Sequence, residues 1–365
     1  MRKLLGHVRD YVLGVDRLLF LLCLLTTACG LTLVYSATRT FGSDTAFHTQ
    51  LLAAFLGVAV FIAASCIPSR WLTRYWWVLL ICNIILQILP RFIGTTSGGN
   101  RSWIRFLGIG IQPAEIGKVI FIITFAAHIE RLRDELNTAL SMLQLVGHFG
   151  IIVGCVVLCS RDDGMALAYL FIGFVMLFAA GVKLRWFLAA GLTIAVAAPL
   201  LWQYVMDNYQ KLRILVIFDP TLDPDRAYQA VQTRRAIASG QLTGQGFLNG
   251  SLTQRSLIPT KHTDAIYAVC GEEFGFLGAA IVGGLLVCII LRCLYLSAHI
   301  GGADGLICAG MGGMLMFQTV LNIGMNIGLL PVIGLTLPFV SYGGTSLVTM
   351  FGAMGIVAGI RLRSR

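Results

Sequence analysis

Long apolar runs separated by short polar stretches dominate the sequence. A helix that crosses a membrane needs about 20 mostly apolar residues, and the pattern predicts ten such helices. They lie near residues 18–37, 47–67, 76–90, 113–130, 142–159, 164–181, 186–206, 271–295, 306–328 and 342–361. The basic start of the chain resembles a signal peptide, but nine apolar runs follow the first one, so we interpret that run as an uncleaved helix.

The longest polar connection, residues 207–270, lies between the seventh and eighth runs. It contains a helix-compatible stretch followed by glycines at spacings typical of tight turns. These glycines are Gly240, Gly244, Gly246 and Gly250. Connections of this length are usually functional or disordered, and the pattern favours order. We therefore expect a structured loop that covers one face of the membrane domain.

The tail, residues 322–347, is interrupted at Pro331, Pro338, Gly343 and Gly344 in what would otherwise be one apolar run. Broken helices at membrane depth are tolerated where they line a cavity. Transporters contain similar breaks, so this feature alone does not separate a carrier from an enzyme.

The composition agrees with the apolar pattern and excludes several classes of protein. Hydrophobic residues make up 57% of the chain and charged residues 12%, against about 45–50% and about 25% in soluble domains. These values exclude a soluble enzyme, a disordered chain, a coiled coil and a nucleic-acid-binding fold. The expected fold is an all-α integral membrane protein, with one polytopic domain over residues 1–365.

The distribution of basic residues predicts the orientation of this domain. The chain has 27 Lys and Arg residues against 17 acidic ones, a net charge of +10. Ten spans place both termini on one side, where the loops carry fourteen basic residues against five in the short loops opposite. The positive-inside rule therefore predicts cytoplasmic termini and a large structured extracellular loop between spans 7 and 8.

Eight of the ten cysteines lie inside the apolar runs without CxxC spacing, so we interpret them as small buried hydrophobes. They are Cys23, Cys29, Cys82, Cys155, Cys159, Cys288, Cys293 and Cys308. Cys66 and Cys270 lie near the ends of apolar runs, and their roles stay open.

Ionisable residues inside the membrane are costly, and Glu115 and Lys118 in the fourth span are candidates for function. Their i,i+3 spacing puts them on one helix face, where they can neutralise each other. One interpretation is a structural ion pair that fixes helix packing. The other is a direct role near a charged substrate.

Two further clusters lie next to the fourth and sixth spans. Arg101, Trp103 and Arg105 alternate in the loop before the fourth span, either as interfacial anchors or as a phosphate-binding group. Asp163 lies in the short turn before the sixth span and is either a helix cap or a substrate contact. We expect all four to lie near the outer interface.

Lys261, His262 and Asp264 occur together where the long loop returns to the membrane. Asp264 is a good candidate for a helix N-cap. A carboxylate at the lip of an apolar cavity also has a raised proton affinity, which suits a general base acting on a hydroxyl group. The sequence leaves both roles open.

Six segments together resemble the SEDS family (shape, elongation, division and sporulation) of bacterial cell-wall proteins. They are GNRSWI at 99–104, QPAEIGK at 112–118, DDGMAL at 162–167, QLTGQG at 241–246, HTDAIYAVCGEEFGFLG at 262–278 and NIGMNIGLLPVIGLTLPFVSYGGTSL at 322–347. The resemblance implies a peptidoglycan glycosyltransferase that polymerises lipid II at the outer face of the cytoplasmic membrane. The short tails resemble the elongation branch, RodA, more than the division and sporulation branches.

The same resemblance implies residue roles. The family's essential aspartate falls on Asp264, its paired Glu and Lys on Glu115 and Lys118, and its turn aspartate on Asp163. The segment SRDDGM departs from the usual QPDLG pattern, and Ala114 replaces the usual serine. We expect Asp264 to be the catalytic base, with Arg101, Arg105, Lys118 and Lys261 contacting the diphosphate.

The expected partners are lipid II, the membrane and a class B penicillin-binding protein, with no nucleic acid. The family implies a divalent cation, Mg or Mn, and no organic cofactor, while the sequence identifies no metal ligands. Two other functions stay open: a flippase of lipid-linked precursors, and a non-catalytic scaffold for the transpeptidase.

Overall fold

The computed structural model describes residues 14–42, 44–97, 100–106 and 109–363. The helices are α1 (Arg17–Thr38), α2 (Thr45–Cys66), α3 (Ser69–Arg74), α4 (Trp76–Ile88), α5 (Pro90–Ile93), α6 (Pro113–Arg131), α7 (Ala139–Cys155), α8 (Asp163–Ala179), α9 (Leu184–Leu200), α10 (Asn208–Phe218), α11 (Pro224–Ser239), α12 (Ser251–Gln254), α13 (Ile266–Ile300), α14 (Gly302–Asn326) and α15 (Gly344–Arg363). The strands are β1 (Thr95–Ser97), β2 (Asn100–Phe106) and β3 (Ile109–Ile111). Turns of 3₁₀-helix lie at Arg39–Phe41, Arg133–Glu135 and Pro220–Leu222, and π-helical turns extend α7 and α9 at Val156–Ser160 and Leu201–Val205.

Within these described residues, eight helical stretches are long and apolar enough to cross a membrane. They are Arg17–Thr38, Thr45–Cys66, Trp76–Ile93, Ala139–Ser160, Leu184–Tyr204, Ile266–Ile300, Gly302–Asn326 and Gly344–Arg363. The other two predicted spans are also helical, because α8 is a shorter apolar helix and α6 is a 19-residue helix that carries charged side chains. The prediction of a helical, multi-pass membrane protein is therefore confirmed.

Helices α14 and α15 form the centre of the bundle. In α14, 72% of the spanning stretch is buried and in α15 61%, whereas α9 has no buried residue. α15 packs mainly on α2, and α14 packs on α13, α8 and α6. An apolar helix exposed on all faces is compatible with lipid surroundings, so burial separates the central helices from the peripheral α9.

A small antiparallel sheet precedes α6, where the sequence predicted only a loop. Strand β2 pairs with β1, with Thr95 opposite Trp103, and with β3, with Ile104 opposite Ile111. The alternation of apolar and polar residues in SWIRF is typical of a strand, which explains the sheet.

Residues 207–265, which we call the lid, contain helices α10 to α12 and confirm the expectation of an ordered long segment. The lid forms backbone hydrogen bonds to α13 on both sides of a kink at Gly275. Glu272 O and Glu273 O accept from Gln245 N and Gly246 N at 2.9 and 3.0 Å, and Phe276 N and Leu277 N donate to Gln241 O and Leu242 O at 2.9 and 3.1 Å. A glycine is required at 240, since a Cβ there would overlap the carbonyl oxygen of Gly271.

Two carboxylates of α13 hold the short lid helix α12. Glu272 is buried and accepts from the backbone amides of Leu252 and Thr253 at 2.7 and 2.9 Å. Glu273 accepts from Ser36 Oγ at 2.6 Å and from Gln254 Nε2 at 3.0 Å. The lid is therefore bonded to the membrane bundle through α13 and α1.

The ten cysteines, all within the described residues, are free thiols. Cys23, Cys293 and Cys308 are buried as predicted, whereas Cys82 and Cys288 are exposed. The prediction of burial was wrong for those two, because an apolar residue in a membrane helix can face lipid as well as the core.

Candidate active site

Asp264 lies in the last part of the lid, just before α13 begins at Ile266. Ala265 occupies the N-cap position, and no side chain caps this helix, so the interpretation of Asp264 as a cap was wrong. No described residue donates a hydrogen bond to the Asp264 carboxylate. Burial raises the pKa of this carboxyl from 3.8 to about 6, because desolvation penalises the charged form.

The backbone around Asp264 is held by the membrane bundle. Three consecutive carbonyl groups accept hydrogen bonds from α14, or from residues 327–343, which we call the α14–α15 connection. The bonds run from Tyr342 N to His262 O (2.8 Å), from Ser341 Oγ to Thr263 O (2.7 Å), and from Asn322 Nδ2 and Asn326 Nδ2 to Asp264 O (3.0 and 2.9 Å). The backbone of Asp264 is thus fixed by hydrogen bonds, while its carboxylate accepts none from the described residues.

Helix α14 carries three buried amides on one face: Gln318, Asn322 and Asn326. Asn322 also donates to Leu335 O at 2.7 Å, so it joins the Asp264 peptide to the α14–α15 connection. No role was predicted for these residues from the sequence. Their i,i+4 spacing in an otherwise apolar helix is the signal that could have identified them.

Glu115 and Lys118 form a buried ion pair in the first turns of α6, with Lys118 Nζ 3.1 Å from Glu115 Oε1. Gln318 Nε2 and Ser346 Oγ lie 3.5 and 3.4 Å from the same carboxylate. Ser346 Oγ is in turn 3.3 Å from Thr336 Oγ1. The pair therefore contacts α14, and through Ser346 it is linked to the α14–α15 connection.

The α14–α15 connection also reaches Asp264. A Cβ built on Gly334, two residues before Thr336, would lie 3.5 Å from Asp264 Oδ2. The predicted break in the tail is thus a non-helical segment that lies between the ion pair and the candidate base. Side chains satisfy its backbone: Gln50 donates to Ser341 O and accepts from Gly343 N, both at 3.0 Å.

Lys261 and His262 lie beside Asp264 but have different surroundings. Lys261 is buried and donates to Thr40 Oγ1, Thr253 O and Ser256 Oγ at 2.6, 2.7 and 3.1 Å. Burial lowers the pKa of its ammonium group. The His262 ring lies 5.5 Å from the Tyr342 ring, and burial together with the Lys261 charge lowers its pKa.

The turn before α8 divides two roles between its two aspartates. Asp162 is the N-cap, accepting from Met165 N at 3.0 Å, and it also accepts from Gln112 Nε2 at 3.2 Å. The capping interpretation of Asp163 was therefore off by one residue. Asp163 is exposed and accepts from Gln210 Nε2 of α10 at 2.7 Å, which links α8 to the lid.

The predicted basic cluster lies on β2. Arg105 is exposed and Trp103 is half-buried, while the side chain of Arg101 is outside what the structure describes. Thr345 Oγ1 donates to Gly110 O at 2.6 Å, which ties β3 to the first turn of α15, next to Ser346. The sheet is thus connected to the ion-pair side of the site.

A family profile described as a cell cycle protein, FtsW/RodA/SpoVE, matches residues 16–365. The chain belongs to the FtsW/RodA/SpoVE family. The resemblance drawn from the six sequence segments is therefore confirmed. Whether the candidate site residues of this family member act as expected stays a prediction.

Two curated relatives are named as glycosyltransferases. The peptidoglycan glycosyltransferase MrdB of Escherichia coli strain K12 is 33% identical over 309 residues, which cover 84% of this chain and 82% of that protein. A probable peptidoglycan glycosyltransferase FtsW of Geobacter sp. strain M18 is 31% identical over 368 residues, which cover 96% of this chain and 98% of that protein. The activity expected from the sequence agrees with both names.

Two solved structures share the FtsW/RodA/SpoVE fold. A chain from a peptidoglycan synthase complex, described as coordinating polymerization and crosslinking, is 27% identical with a TM-score of 0.82, covering 96% of this chain and 98% of that one. The crystal structure of the Thermus thermophilus rod shape determining protein RodA is 25% identical with a TM-score of 0.71, covering 96% and 97%.

The described part of this family member contains no group of three His, Cys, Asp or Glu side chains arranged to hold a metal ion. Glu115, Glu272 and Glu273 each accept hydrogen bonds from protein donors instead. The described residues thus do not fit a dedicated metal centre.

Proposed function

We propose that this chain is a peptidoglycan glycosyltransferase that polymerises lipid II into glycan strands. The observation that carries the proposal is Asp264, a carboxylate with a raised pKa and no hydrogen-bond donor from the described residues, on a peptide fixed by the membrane bundle. A general base works best when its pKa lies near the operating pH and its geometry is fixed. The names of the two relatives support the same chemistry.

The reaction joins an acceptor sugar hydroxyl to the anomeric carbon of a donor linked to undecaprenyl diphosphate. Asp264 removes the proton of the acceptor 4-hydroxyl as its oxygen forms the new glycosidic bond. The bond from the anomeric carbon to the diphosphate oxygen breaks, and the diphosphate leaves with the electron pair. A single displacement of this kind inverts the configuration at that carbon.

Positively charged groups stabilise the negative charge that develops on the leaving diphosphate. The candidates predicted from the sequence are Arg101, Arg105, Lys118 and Lys261. Lys118 and Lys261 donate to protein acceptors. We therefore propose that they contribute positive electrostatic potential and fix the geometry of the site, without contacting the diphosphate directly. We also propose a divalent cation, Mg or Mn, as a counter-ion of the substrate. Since the described residues do not fit a metal centre, no step is assigned to that cation.

We place the site at the outer face of the bacterial cytoplasmic membrane, with both termini in the cytoplasm. The count of basic residues in the loops supports this orientation. We propose a class B penicillin-binding protein as partner, since one structural relative comes from a complex that couples polymerization to crosslinking. Cell elongation is the proposed process, with a division or sporulation paralogue as the alternative.

Purified full-length protein with lipid II, in detergent and in vesicles, tests the proposal. The wild type should form glycan strands, alone or with a cognate transpeptidase, and a folded Asp264→Asn variant should form none. A flippase is the second candidate, because the non-helical α14–α15 connection also suits a carrier. Transfer of lipid II across vesicle bilayers without strand formation in either condition would favour the flippase.

A further inference from the structure

A cavity of about 270 Å³ lies between α10, α11 and the start of the α14–α15 connection. Its lining includes two arginines, Arg213 of α10 and Arg234 of α11, and one acidic residue, Asp225. The remaining lining is mostly apolar or uncharged and includes Tyr228 and Val332. None of the residues with a role in the proposed reaction lines this cavity.

The local backbone leaves room for the Arg234 side chain. At Gly328, φ is +79°, and a Cβ would lie 2.5 Å from Arg234 Cδ and 2.9 Å from its Nε, so no other residue fits there without displacing the arginine. Nε donates to Ala230 O at 3.3 Å. No described residue accepts from the two Nη groups, which are therefore available to a ligand.

The cavity shares walls with the candidate active site. Pro259 lines it and precedes Asp264 by one short turn of the lid, and Gln229 of the lining donates to Thr260 Oγ1 at 3.1 Å. Gly328 follows Asn326, whose amide holds Asp264 O. The cavity and the candidate active site therefore share the end of the lid and the start of the α14–α15 connection.

The cavity also lies at the level where membrane helices end. Helix α10 begins directly after the π-helical end of α9, and Gly328 and Leu330 follow the end of α14. A lipid-linked substrate keeps its chain in the membrane and its phosphates at the interface. The position of the cavity therefore matches the phosphates rather than the sugars or the lipid.

The charge in this region favours the same ligand. Lys118 and Lys261 are buried and donate to protein oxygens. Guanidinium groups bind phosphate through paired hydrogen bonds. With two arginines and one aspartate among its lining residues, the cavity has a net positive charge.

We propose that this cavity binds the diphosphate of a lipid-linked substrate through Arg234, with Arg213 adding to the positive charge of the lining. The inference rests on the proposed glycosyltransferase function and names the subsite for its charged group. The diphosphate belongs either to lipid II or to the lipid-linked end of the growing strand. Both present the same chemistry.

Initial rates of strand formation by the full-length protein test the subsite, with Arg234→Gln compared with Arg235→Gln. Arg235 is the next residue of α11, is exposed and is not among the lining residues, so it is a matched control. We expect Arg234→Gln to raise KM about 10- to 100-fold with little change in kcat, since a charged hydrogen bond has roughly that value. Arg235→Gln should leave both constants unchanged.

Separate titrations of lipid II and of preformed lipid-linked strands then identify the source of the diphosphate. The source is the substrate whose KM is higher for Arg234→Gln than for Arg235→Gln. Equal KM values for Arg234→Gln and Arg235→Gln in both arms would overturn the inference while the wild type still polymerises. If the wild type forms no strands, the proposed function fails instead.

A binding measurement covers the case in which Arg234→Gln folds poorly. Inorganic pyrophosphate should raise the melting temperature of the wild type and of Arg235→Gln, and have a much smaller effect on Arg234→Lys. An equal increase in all three proteins would also overturn the subsite.

Discussion

The Glu115–Lys118 pair and Asp264 both remove ionisable groups from water, but their charges have opposite surroundings. Glu115 accepts from Lys118 at 3.1 Å and lies near two further donors, Gln318 and Ser346. The backbone carbonyl of Asp264 accepts hydrogen bonds from Asn322 and Asn326, while no described residue donates to its carboxylate. The first site satisfies its charge within the protein, whereas the described residues leave the Asp264 carboxylate without a hydrogen-bond donor.

The difference indicates how the two sites divide their roles. A buried ion pair with its hydrogen bonds made costs little once it is formed, but removing one partner is expensive. A desolvated carboxylate without donors keeps a high proton affinity, which destabilises the folded protein and suits a base. We therefore predict that the first site organises α6, α14 and α15 and that the second one reacts with substrate.

Replacing Asp264 with Asn should have the largest effect on activity. General base catalysis contributes about 10²–10⁴-fold, so strand formation should fall by at least that range. Because burial opposes the charged carboxylate, the variant should melt at the same temperature as the wild type or higher. Polymerisation near the wild-type rate by a folded variant would contradict the assignment of the base.

Replacing Lys118 with Met should have the largest effect on stability. The change leaves Glu115 buried without its cation, at a cost of about 3–5 kcal/mol. Thermal unfolding in detergent measures the loss, with Lys183→Met on the exposed end of a loop as the control. The double variant Glu115→Gln, Lys118→Met should recover most of the stability, and failure to recover would show that the pair itself is not the cause.

Replacing Asn322 with Leu tests whether the hydrogen bonds of α14 position Asp264. The variant removes the Asn322 donor of Leu335 O and leaves Asp264 O with Asn326 alone, at a cost of roughly 1–3 kcal/mol for the carbonyl left unsatisfied. We expect kcat to fall about tenfold with KM unchanged, because the base is misplaced while the substrate still binds. Asn249→Leu in the exposed part of the lid is the control, and an equal loss in both variants would indicate general damage.

A change of pH should have the smallest effect on activity of the tests proposed here, and we expect to see it in kcat/KM. With a pKa raised to about 6, Asp264 is ionised above that pH and protonated below it. Activity should therefore be constant above pH 7 and fall about tenfold per unit at pH values well below 6. Stability should change in the opposite direction, since a raised carboxyl pKa favours the folded state at low pH and costs stability as pH rises from about 4 to 6. A profile that falls only below pH 4 would show that the Asp264 carboxyl is not desolvated.

The sequence predicted the membrane helices well because their signal is local. Each apolar run is a helix in the structure, and the break in the tail is the non-helical α14–α15 connection. The predicted start of the eighth span, residue 271, was less accurate. Helix α13 begins at Ile266, because its first turns pack against the lid and have polar residues among them.

The hydrogen bonds of the site were not predictable in the same way. Asn322 and Asn326 are distant in sequence from Asp264, and nothing near Asp264 indicates that amides approach its carbonyl. Asp162 rather than Asp163 caps α8, because the choice between adjacent aspartates depends on the backbone angles at the turn. In the sequence, Arg213 and Arg234 are two of several basic residues in a long loop. Only the fold shows that both line one cavity.

The bonds between the lid and the kink of α13 have a consequence for the order of synthesis. The lid leaves the ribosome before α13, yet its turn at 240–246 donates to Glu272 O and Glu273 O and accepts from Phe276 and Leu277. These bonds cannot form until the eighth span has been made. During synthesis the lid is therefore incomplete until the first turns of α13 have also been made.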